Sequence, residues 1–174
     1  MTDKSQNNSQ AGREQEDETK IKETFHQFSS AMFDWEEAAA IFDEDDEDDE
    51  DDDEDDEDSN EDDEEKALEE RRLWREETIK KRNTIYDRFL TEKKRAYSEP
   101  LVIEWPRKFD PILETITSVE INKRQATAYT VKKHPSGDSL EKRAFKFNKV
   151  GNDWFLDSMK IWIDKSKKWD ACPI

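Results

Sequence analysis

An unbroken run of sixteen acidic residues lies in the first half of this 174-residue chain, from Asp43 to Asp58. Like charges at every position oppose compaction, and Asp is a weak helix former, so the run is predicted to be extended and disordered. With the acidic residues that follow Asn60, residues 43–65 carry 21 acidic and no basic side chains. Connections between helices usually have about 2 to 8 residues. Residues 43–65 are therefore predicted to be an insert in a fold that forms on both sides of it.

The rest of the chain has a different charge. The whole chain carries −18, whereas residues 1–42 sum to −5 and residues 66–174 hold 25 basic and 17 acidic side chains, a net charge of +8. The same C-terminal part contains five of the six Trp and all three Tyr, which is enough apolar surface to bury a core. We predict a disordered tail over 1–18 and a single domain over 19–174, interrupted by the acidic insert.

Composition excludes several classes of protein. The single Cys172 permits neither an internal disulfide framework nor a multi-cysteine zinc site, and it fits a reducing cytoplasm. With only His26 and His134, no histidine-rich metal centre and no cofactor are expected. The polar N-terminus lacks the apolar segment of a signal peptide, and no apolar run reaches about 18 residues, so a cytoplasmic protein without a membrane partner is expected. The acidic insert would repel phosphates, which argues against nucleic acid as the direct partner.

Two segments have the apolar periodicity of amphipathic helices. In the first, from about Thr19 to Phe42, steps of three and four residues place on one stripe Ile21, Phe25, Phe28, Met32, Trp35, Ala39 and Phe42. The second runs from about Asp63 to Leu90, and its broad apolar face includes Leu68, Trp74, Thr78, Ile85 and Phe89. Neither helix can bury its stripe alone, so both need a partner from the C-terminal half.

The C-terminal half supplies that partner as strands. Three prolines mark residues 93–111 as a loop, in which residues 101–105 are predicted to form a short edge strand. Four β-rich runs follow, at 112–122, 125–133, 140–150 and 154–164, with connections of hairpin length. This order predicts an α+β fold, with two N-terminal helices packed on one face of a strongly curved, cone-like antiparallel sheet.

Few residues suggest catalysis. The chain has three glycines and no glycine-rich phosphate loop, and no serine or cysteine stands in a nucleophile motif. Asp153, Asp157 and Asp164 near the last predicted strand are candidates for a general base in a cone-shaped pocket, although exposed carboxylates near Lys160 and Lys165 are the simpler interpretation. We predict that the protein is not an enzyme. A small-molecule-binding or isomerase-like enzyme on the same fold is the alternative.

The acidic run has three interpretations. It is a solubilising loop, a tether that folds back on the positively charged C-terminal part, or an element that occupies the cationic cleft of a protein partner and imitates phosphates there. An acidic chaperone for basic proteins is a further alternative suggested by the run alone. In the third interpretation a partner with a basic surface is bound by Asp43, Glu44, Asp45, Asp46, Glu47, Asp48, Asp49, Glu50, Asp51, Asp52, Asp53, Glu54, Asp55, Asp56, Glu57 and Asp58.

Aromatic residues beside basic ones are further candidates for an interface. Trp162 lies on the last predicted strand, Trp169 lies in the lysine-rich segment after it, and Trp105 and Tyr97 lie in the proline-bearing loop. Trp169 has no apolar residue adjacent to it in sequence, so core packing and an exposed anchor are equally compatible with its position. Exposed aromatic residues flanked by Lys and Arg are common in protein interfaces.

The order of the elements and a set of dispersed residues resemble a known family. On the first helix, Phe25, Phe28, Met32, Trp35 and Glu36 match an F-x-x-F-x-x-x-M-x-x-W-E pattern. The middle and the C-terminal part add Arg82, Ile85, Tyr86, Phe89, Leu90, Thr91, Lys93, Lys94, Arg95, Tyr97, Phe109, Asp110, Pro111, Ile116, Val119 and Glu120, then Ala126 to Tyr129, Phe145, Phe147, Trp154, Leu156, Asp157, Ser158, Lys160, Lys168 and Trp169. Over about residues 20–42 and 66–170, the chain resembles the immunity proteins with a nuclear-transport-factor-2-like fold that are encoded beside bacterial polymorphic toxins, such as those of the Rhs type.

The resemblance implies a function. It implies a small cytoplasmic protein with one nuclear-transport-factor-2-like domain, which binds a cognate secreted toxin and neutralises it by occlusion, without catalysis of its own. The acidic insert departs from the family pattern. Immunity proteins differ in where they touch their toxins, so the resemblance does not locate the interface.

Overall fold

The helices come first in the chain and the strands follow. The computed structural model describes residues 4–40, 61–93, 106–137 and 139–174. The elements are α1 (Lys4–Ala40), α2 (Glu61–Phe89), β1 (Glu114–Asn122), β2 (Gln125–Lys133), β3 (Leu140–Val150), β4 (Asp153–Ile163) and β5 (Lys168–Cys172). The five strands pair in sequence order in one antiparallel sheet. The α+β prediction, with N-terminal helices and an antiparallel meander, is confirmed; the strong curvature of the sheet stays a prediction.

Helix α1 packs on the sheet through the stripe predicted from the sequence. Its side chains Ile21, Phe25 and Phe28 are fully buried. The ring of Phe25 meets Phe145 of β3 edge to face, with 4.9 Å between the ring centroids, and the ring of Phe28 meets Phe109 in the same way at 5.0 Å. Burial of each such side chain contributes about 1.5–3 kcal/mol, so these contacts fix α1 on β3 and on the chain before β1.

Helix α1 begins earlier than predicted. It starts at Lys4 rather than at Thr19, so residues 4–18, predicted to belong to a disordered tail, are helical instead. The prediction used apolar periodicity alone, whereas this part of α1 is held by a polar contact. The carboxylate of Asp17 accepts hydrogen bonds from Lys149 Nζ at 2.6 and 2.8 Å and from Trp154 Nε1 at 3.0 Å.

Helix α2 joins the core through its C-terminal half. Tyr86 and Phe89 are buried there, and Trp35 Nε1 of α1 donates a hydrogen bond of 2.9 Å to the carbonyl oxygen of Thr78. In the N-terminal half, Leu68 is 66% exposed and Leu73 is 53% exposed. The predicted apolar face is therefore wrong at Leu68, whereas Trp74 is partly buried and Thr78 is buried.

The predicted insert overlaps α2. Because α2 starts at Glu61, the last five residues of the segment 43–65 are helical. The second helix itself was predicted to begin at about Asp63, so its observed start differs from the predicted one by two residues. Residues 43–60 and the edge strand predicted at 101–105 lie outside the described residues.

The described part of the sheet contains one strand that was not predicted. The strand β5 pairs with the C-terminal half of β4, with Trp169 directly across from Trp162. The β3–β4 hairpin has the two-residue loop predicted at Gly151 and Asn152, and Gly151 has a φ of 63°. That backbone conformation is readily available to glycine and unfavourable for most other residues.

Alternation along the strands gives the sheet two different faces. On β2, Ala126, Ala128 and Thr130 are buried, and they share a face with Phe145, which meets α1. Tyr129 lies between them in sequence and points to the opposite face, because successive strand residues alternate. We call the face covered by the helices the inner face and the opposite one the outer face.

Candidate functional site

Three aromatic side chains meet on the outer face. The rings of Trp162 on β4 and Trp169 on β5 are 5.5 Å apart between centroids in an edge-to-face arrangement. The ring of Tyr129 on β2 is 6.0 Å from that of Trp169. All three are partly exposed. These distances are in the favourable range for aromatic pairs, and we call the three residues the outer aromatic cluster.

The polar ends of these rings have different partners. Trp162 Nε1 donates a hydrogen bond of 3.0 Å to Asp164 Oδ1, and the Tyr129 hydroxyl donates one of 3.3 Å to Glu120 Oε2. Burial and then the negative charge of Glu120 raise the pKa of Tyr129. Among the described residues, none accepts a hydrogen bond from Trp169 Nε1. Trp169, the middle ring of the cluster, therefore has a donor without a partner among the described residues.

Three lysines border the cluster on the same face. Lys142 and Lys146 alternate with the inward-facing Arg143, Phe145 and Phe147 on β3, and Lys160 of β4 lies directly across from Ala144. Lys142 and Lys146 are exposed and Lys160 is partly exposed. None of the three forms a salt bridge within the described part of the chain. We call them the outer lysines.

The structure brings together part of the predicted interface. Trp162 and Trp169 were predicted as interface candidates on the last predicted strand and in the lysine-rich segment after it, and they are in contact. Tyr97, Trp105 and the run Asp43–Asp58 lie outside the described residues. Tyr129 was not predicted as a site residue. The available signal was its alternation with Ala128 and Thr130, but strand pairing is needed to place it beside Trp169.

A buried polar cluster lies at one end of the inner face. Glu114 of β1 is 1% exposed and Arg143 of β3 is 5% exposed. Glu114 accepts a hydrogen bond of 2.5 Å from Thr130 Oγ1 and one of 3.3 Å from Arg143 Nη1. Arg143 Nη1 also donates to the carbonyl oxygen of Lys108 at 2.6 Å. Burial raises the pKa of Glu114, and Arg143 opposes that shift.

Lys132 links this cluster to the chain that precedes β1. Its Nζ donates to the carbonyl oxygens of Arg107 and, at 3.1 Å, of Lys108. Burial and the positive charge of Arg143 lower the pKa of Lys132. Because these ammonium and guanidinium groups are paired with carbonyl and carboxylate oxygens, their most direct role is to hold residues 107 and 108 against the sheet.

Two glutamates at the end of α1 hold the same segment. Glu36 Oε2 accepts a hydrogen bond of 3.4 Å from the backbone N–H of Phe109, and Glu37 forms a salt bridge of 2.6 Å with Arg107. Burial raises the pKa of Glu36 to about 7, while the contact with Phe109 opposes the shift. The W-E step of the resemblance, Trp35 and Glu36, therefore joins α1 to α2 and to the chain before β1.

The carboxylates considered for catalysis are located elsewhere. Asp153 is exposed at the β3–β4 hairpin. Asp157 lies where the β3–β4 register shifts, and it accepts hydrogen bonds from Thr91 Oγ1 at 2.8 Å and Lys93 Nζ at 3.0 Å. Burial opposes but does not outweigh these contacts, which lower the pKa of Asp157. Asp164 is exposed, and its bonds from Trp162 and Lys167 lower its pKa.

A cavity of about 460 Å³ opens beside the buried polar cluster. It is lined by Pro106, Lys108, Lys132, Lys133, His134, Ser139, Leu140, Glu141, Arg143, Ile161, Trp162, Ile163 and Asp164. Asp153 and Asp157 are not among these residues. In the described ranges, no group of three or more His, Cys, Asp or Glu side chains is arranged to hold a metal ion.

Within the described ranges, neither α1 nor α2 has the length and apolar character of a membrane-spanning helix.

Comparisons with other proteins identify no relative. Protein-family models, curated proteins and solved structures were all compared with this chain, and none of them matches it.

Proposed function

We propose that this protein binds a cognate secreted toxin and neutralises it by occlusion, without catalysis of its own. The observation that carries the proposal is the outer aromatic cluster, with Trp162, Trp169 and Tyr129 in contact on the face opposite the helices. Trp and Tyr dominate the residues that anchor protein interfaces, because each offers a large rigid surface with one polar end. The indole N–H of Trp169, which bonds to no described residue, adds a hydrogen-bond donor for a partner.

The roles of the family-like residues support the proposal. Phe25 and Phe28 are fully buried in the core, Trp35 bonds to α2, and Glu36 bonds to the chain before β1. These residues thus build one framework, as expected if the resemblance reflects a common fold. As an immunity protein, the chain would act in the cytoplasm, and its partner would be the toxin domain. The run Asp43–Asp58 would occupy a basic surface of that domain.

The contacts of the carboxylates favour binding over catalysis. Asp157 is engaged by Thr91 and Lys93, and Glu114 by Thr130 and Arg143. Glu36, with a pKa of about 7, has the pKa expected of a general base. Its oxygen, however, accepts a bond from a backbone N–H, and it does not line the cavity described above. Two other carboxylates, Asp164 and Glu141, do line the cavity, and both are engaged: Asp164 accepts hydrogen bonds from Trp162 and Lys167, and Glu141 forms an ion pair with Arg143.

The test measures how tightly the protein binds a toxin domain and how well it inhibits that toxin. On this proposal the neighbouring upstream reading frame encodes a large repeat-bearing protein, whose variable C-terminal domain serves as the ligand. We expect Trp162→Ala and Trp169→Ala each to weaken binding by about tenfold or more, measured by isothermal titration calorimetry, and to lower protection of cells that express the toxin domain. Leu68→Ala, which removes an exposed apolar side chain of α2, is the control and should leave the affinity unchanged.

Two results would contradict the proposal. The first is a toxin domain that the wild-type protein neither binds nor inhibits. The second is an affinity that falls equally in the Trp169→Ala and Leu68→Ala variants, because the outer aromatic cluster would then have no specific part. Circular dichroism of each variant separates loss of binding from loss of fold.

A further inference from the structure

We propose that the partner of the outer face is an acidic protein surface, whose carboxylates lie among the outer lysines and accept the hydrogen bond of Trp169. This inference rests on the binding role proposed above for the outer aromatic cluster, and it adds the chemistry of the partner. It concerns the sheet alone, and it is separate from the basic surface expected opposite the run Asp43–Asp58.

The strand register brings the lysines next to the rings. Lys160 lies two residues before Trp162 on β4, so both point to the outer face, and Lys160 is directly across from Ala171, which is two residues after Trp169. On its other side Lys160 faces Ala144. Side chains directly across a strand pair have their Cβ atoms about 5 Å apart. Lys160 therefore stands between two alanines on the outer face, at the strand positions next to Trp162 and Trp169.

The other two lysines extend the same surface across β3. Lys146 is directly across from Thr127 on one side and Ser158 on the other, and Lys142 is directly across from Val131. Small and neutral neighbours again leave the ammonium groups without a salt bridge in the described residues. Within the described residues, the outer lysines thus form a positive patch without salt bridges that adjoins the aromatic rings.

The ammonium groups of the outer lysines and the indole N–H of Trp169 favour a partner surface with negative charge. A partner that covered the cluster with apolar or neutral surface would remove water from three ammonium groups and one indole N–H without replacing those hydrogen bonds, which is costly. Carboxylates supply acceptors and negative charge together, and charge-assisted hydrogen bonds are the stronger ones. The acidic residues already at the margin, Glu120 and Asp164, accept hydrogen bonds from Tyr129 and Trp162. The charge of Asp164 acts on Lys142 at that margin, and neither carboxylate forms a described salt bridge with Lys146 or Lys160.

A single-stranded nucleic acid is the other polyanion that pairs with lysines and aromatic rings. The positions of the margin carboxylates favour protein instead. Glu120 and Asp164 lie at the polar ends of Tyr129 and Trp162, where a backbone of phosphates passing over both rings would meet negative charge. Carboxylates of a folded partner need only occupy the region between these two margins.

The test uses the full-length chain and three defined probes. The probes are a twelve-residue peptide of alternating Glu and Val, the matching peptide of Gln and Val, and a twelve-nucleotide oligo-dT. Binding is followed by NMR through the indole N–H signals of the six Trp, with the signal of Trp169 assigned by the Trp169→Phe variant. We expect the Glu peptide to bind at least tenfold more tightly than the Gln peptide, and to shift the Trp169 signal most.

Matched triple variants show whether the patch is responsible. Lys142→Gln/Lys146→Gln/Lys160→Gln should reduce the preference for the Glu peptide to less than threefold. The control variant Lys22→Gln/Lys66→Gln/Lys80→Gln removes the same charge from exposed positions on the helices and should retain the preference.

Several outcomes would overturn the inference. Equal binding of the two peptides would do so, and so would an equal loss of preference in the two triple variants. Tighter binding of oligo-dT than of the Glu peptide would assign the face to nucleic acid, and a Trp169 signal that moves on dilution of the protein alone would assign it to a second copy of the chain. If these occur while Trp169→Ala still abolishes toxin binding, the acidic partner is excluded and the proposed function stands.

Discussion

Glu36 shows how a single residue can tie stability to pH. Glu36 is only 6% exposed, and burial raises the pKa of its carboxyl group from 4.5 to about 7. Because the native pKa lies above the unfolded one, the native state keeps a proton that the unfolded chain releases between these two values. The free energy of unfolding therefore loses this contribution as the pH rises from about 4.5 through about 7.

The variant Glu36→Gln tests this linkage. The amide oxygen still accepts the hydrogen bond from Phe109, but the side chain does not titrate. Relative to wild type, we expect the free energy of unfolding of the variant to rise by about 2–3 kcal/mol between pH 4.5 and 8, since each unit of pKa shift corresponds to about 1.4 kcal/mol. Urea unfolding at several pH values measures the difference. A difference that stays constant with pH, or an equal gain in the control Glu37→Gln, whose side chain is 49% exposed, would contradict the assignment.

Individual site residues were predictable to different degrees. Trp162 and Trp169 were expected at an interface because aromatic residues beside lysines are typical there, and the register brings them together. Tyr129 was not expected there, because a residue on a strand faces solvent or the core depending on which face of the sheet the helices cover. That choice depends on Phe25 meeting Phe145, which is a contact between distant parts of the chain. The buried positions of Glu114 and Arg143 were missed for the same reason.

At the scale of elements, Asp17 joins the polar start of α1 to the sheet. Asp17 binds both Lys149 and Trp154, whereas the ion pairs Glu16–Lys20 and Glu18–Lys22 stay within the helix. Ion pairs of that kind contribute only about 0.3–0.5 kcal/mol each. The contact of Asp17 therefore does what these ion pairs do not, which is to link this part of α1 to the sheet.

Removal of that link should loosen the start of α1 alone. In Asp17→Ala we expect backbone amides of residues 12–20 to exchange with solvent at least tenfold faster, while amides near Phe28 keep their protection, because the apolar stripe is intact. Hydrogen exchange followed by NMR resolves the two groups. The control Glu18→Ala removes a carboxylate whose described ion pair, with Lys22, stays within the helix, and it should change little. Equal acceleration at residues 12–20 and near Phe28 would mean that Asp17 supports the whole fold.

Elements with a strong periodic pattern were predictable and weakly patterned ones were not. The four strands of the meander and the C-terminal part of α1 carry clear alternation or a clear stripe, so their predicted bounds agree closely with the structure. The strand β5 has five residues, Lys168–Cys172, too few for a reliable pattern, and it exists by pairing with β4. Residues 4–18 and the first half of α2 likewise lack a continuous apolar stripe.

At the scale of the whole molecule, opposite charges are segregated along the chain. The sixteen acidic residues from Asp43 to Asp58 adjoin a C-terminal part with a net charge of +8 over residues 66–174. The outer lysines belong to that positive part. A partner that binds both regions would have to present surfaces of both signs, so the two contributions should respond separately to mutation while both weaken in salt.

A length-preserving neutral variant of the acidic run separates these contributions. Replacement of every Asp by Asn and every Glu by Gln over residues 43–58 removes sixteen negative charges and keeps the connection to α2. If the run occupies a basic cleft of the toxin, we expect affinity to fall at least tenfold at 50 mM salt and the slope of log affinity against log salt to become shallower, because fewer charge pairs are screened. Titration calorimetry at 50 and 300 mM salt measures both quantities. An unchanged affinity with an unchanged slope would remove the run from the interface and leave the outer aromatic cluster as the binding surface, whereas a higher affinity would indicate that the run normally covers that surface.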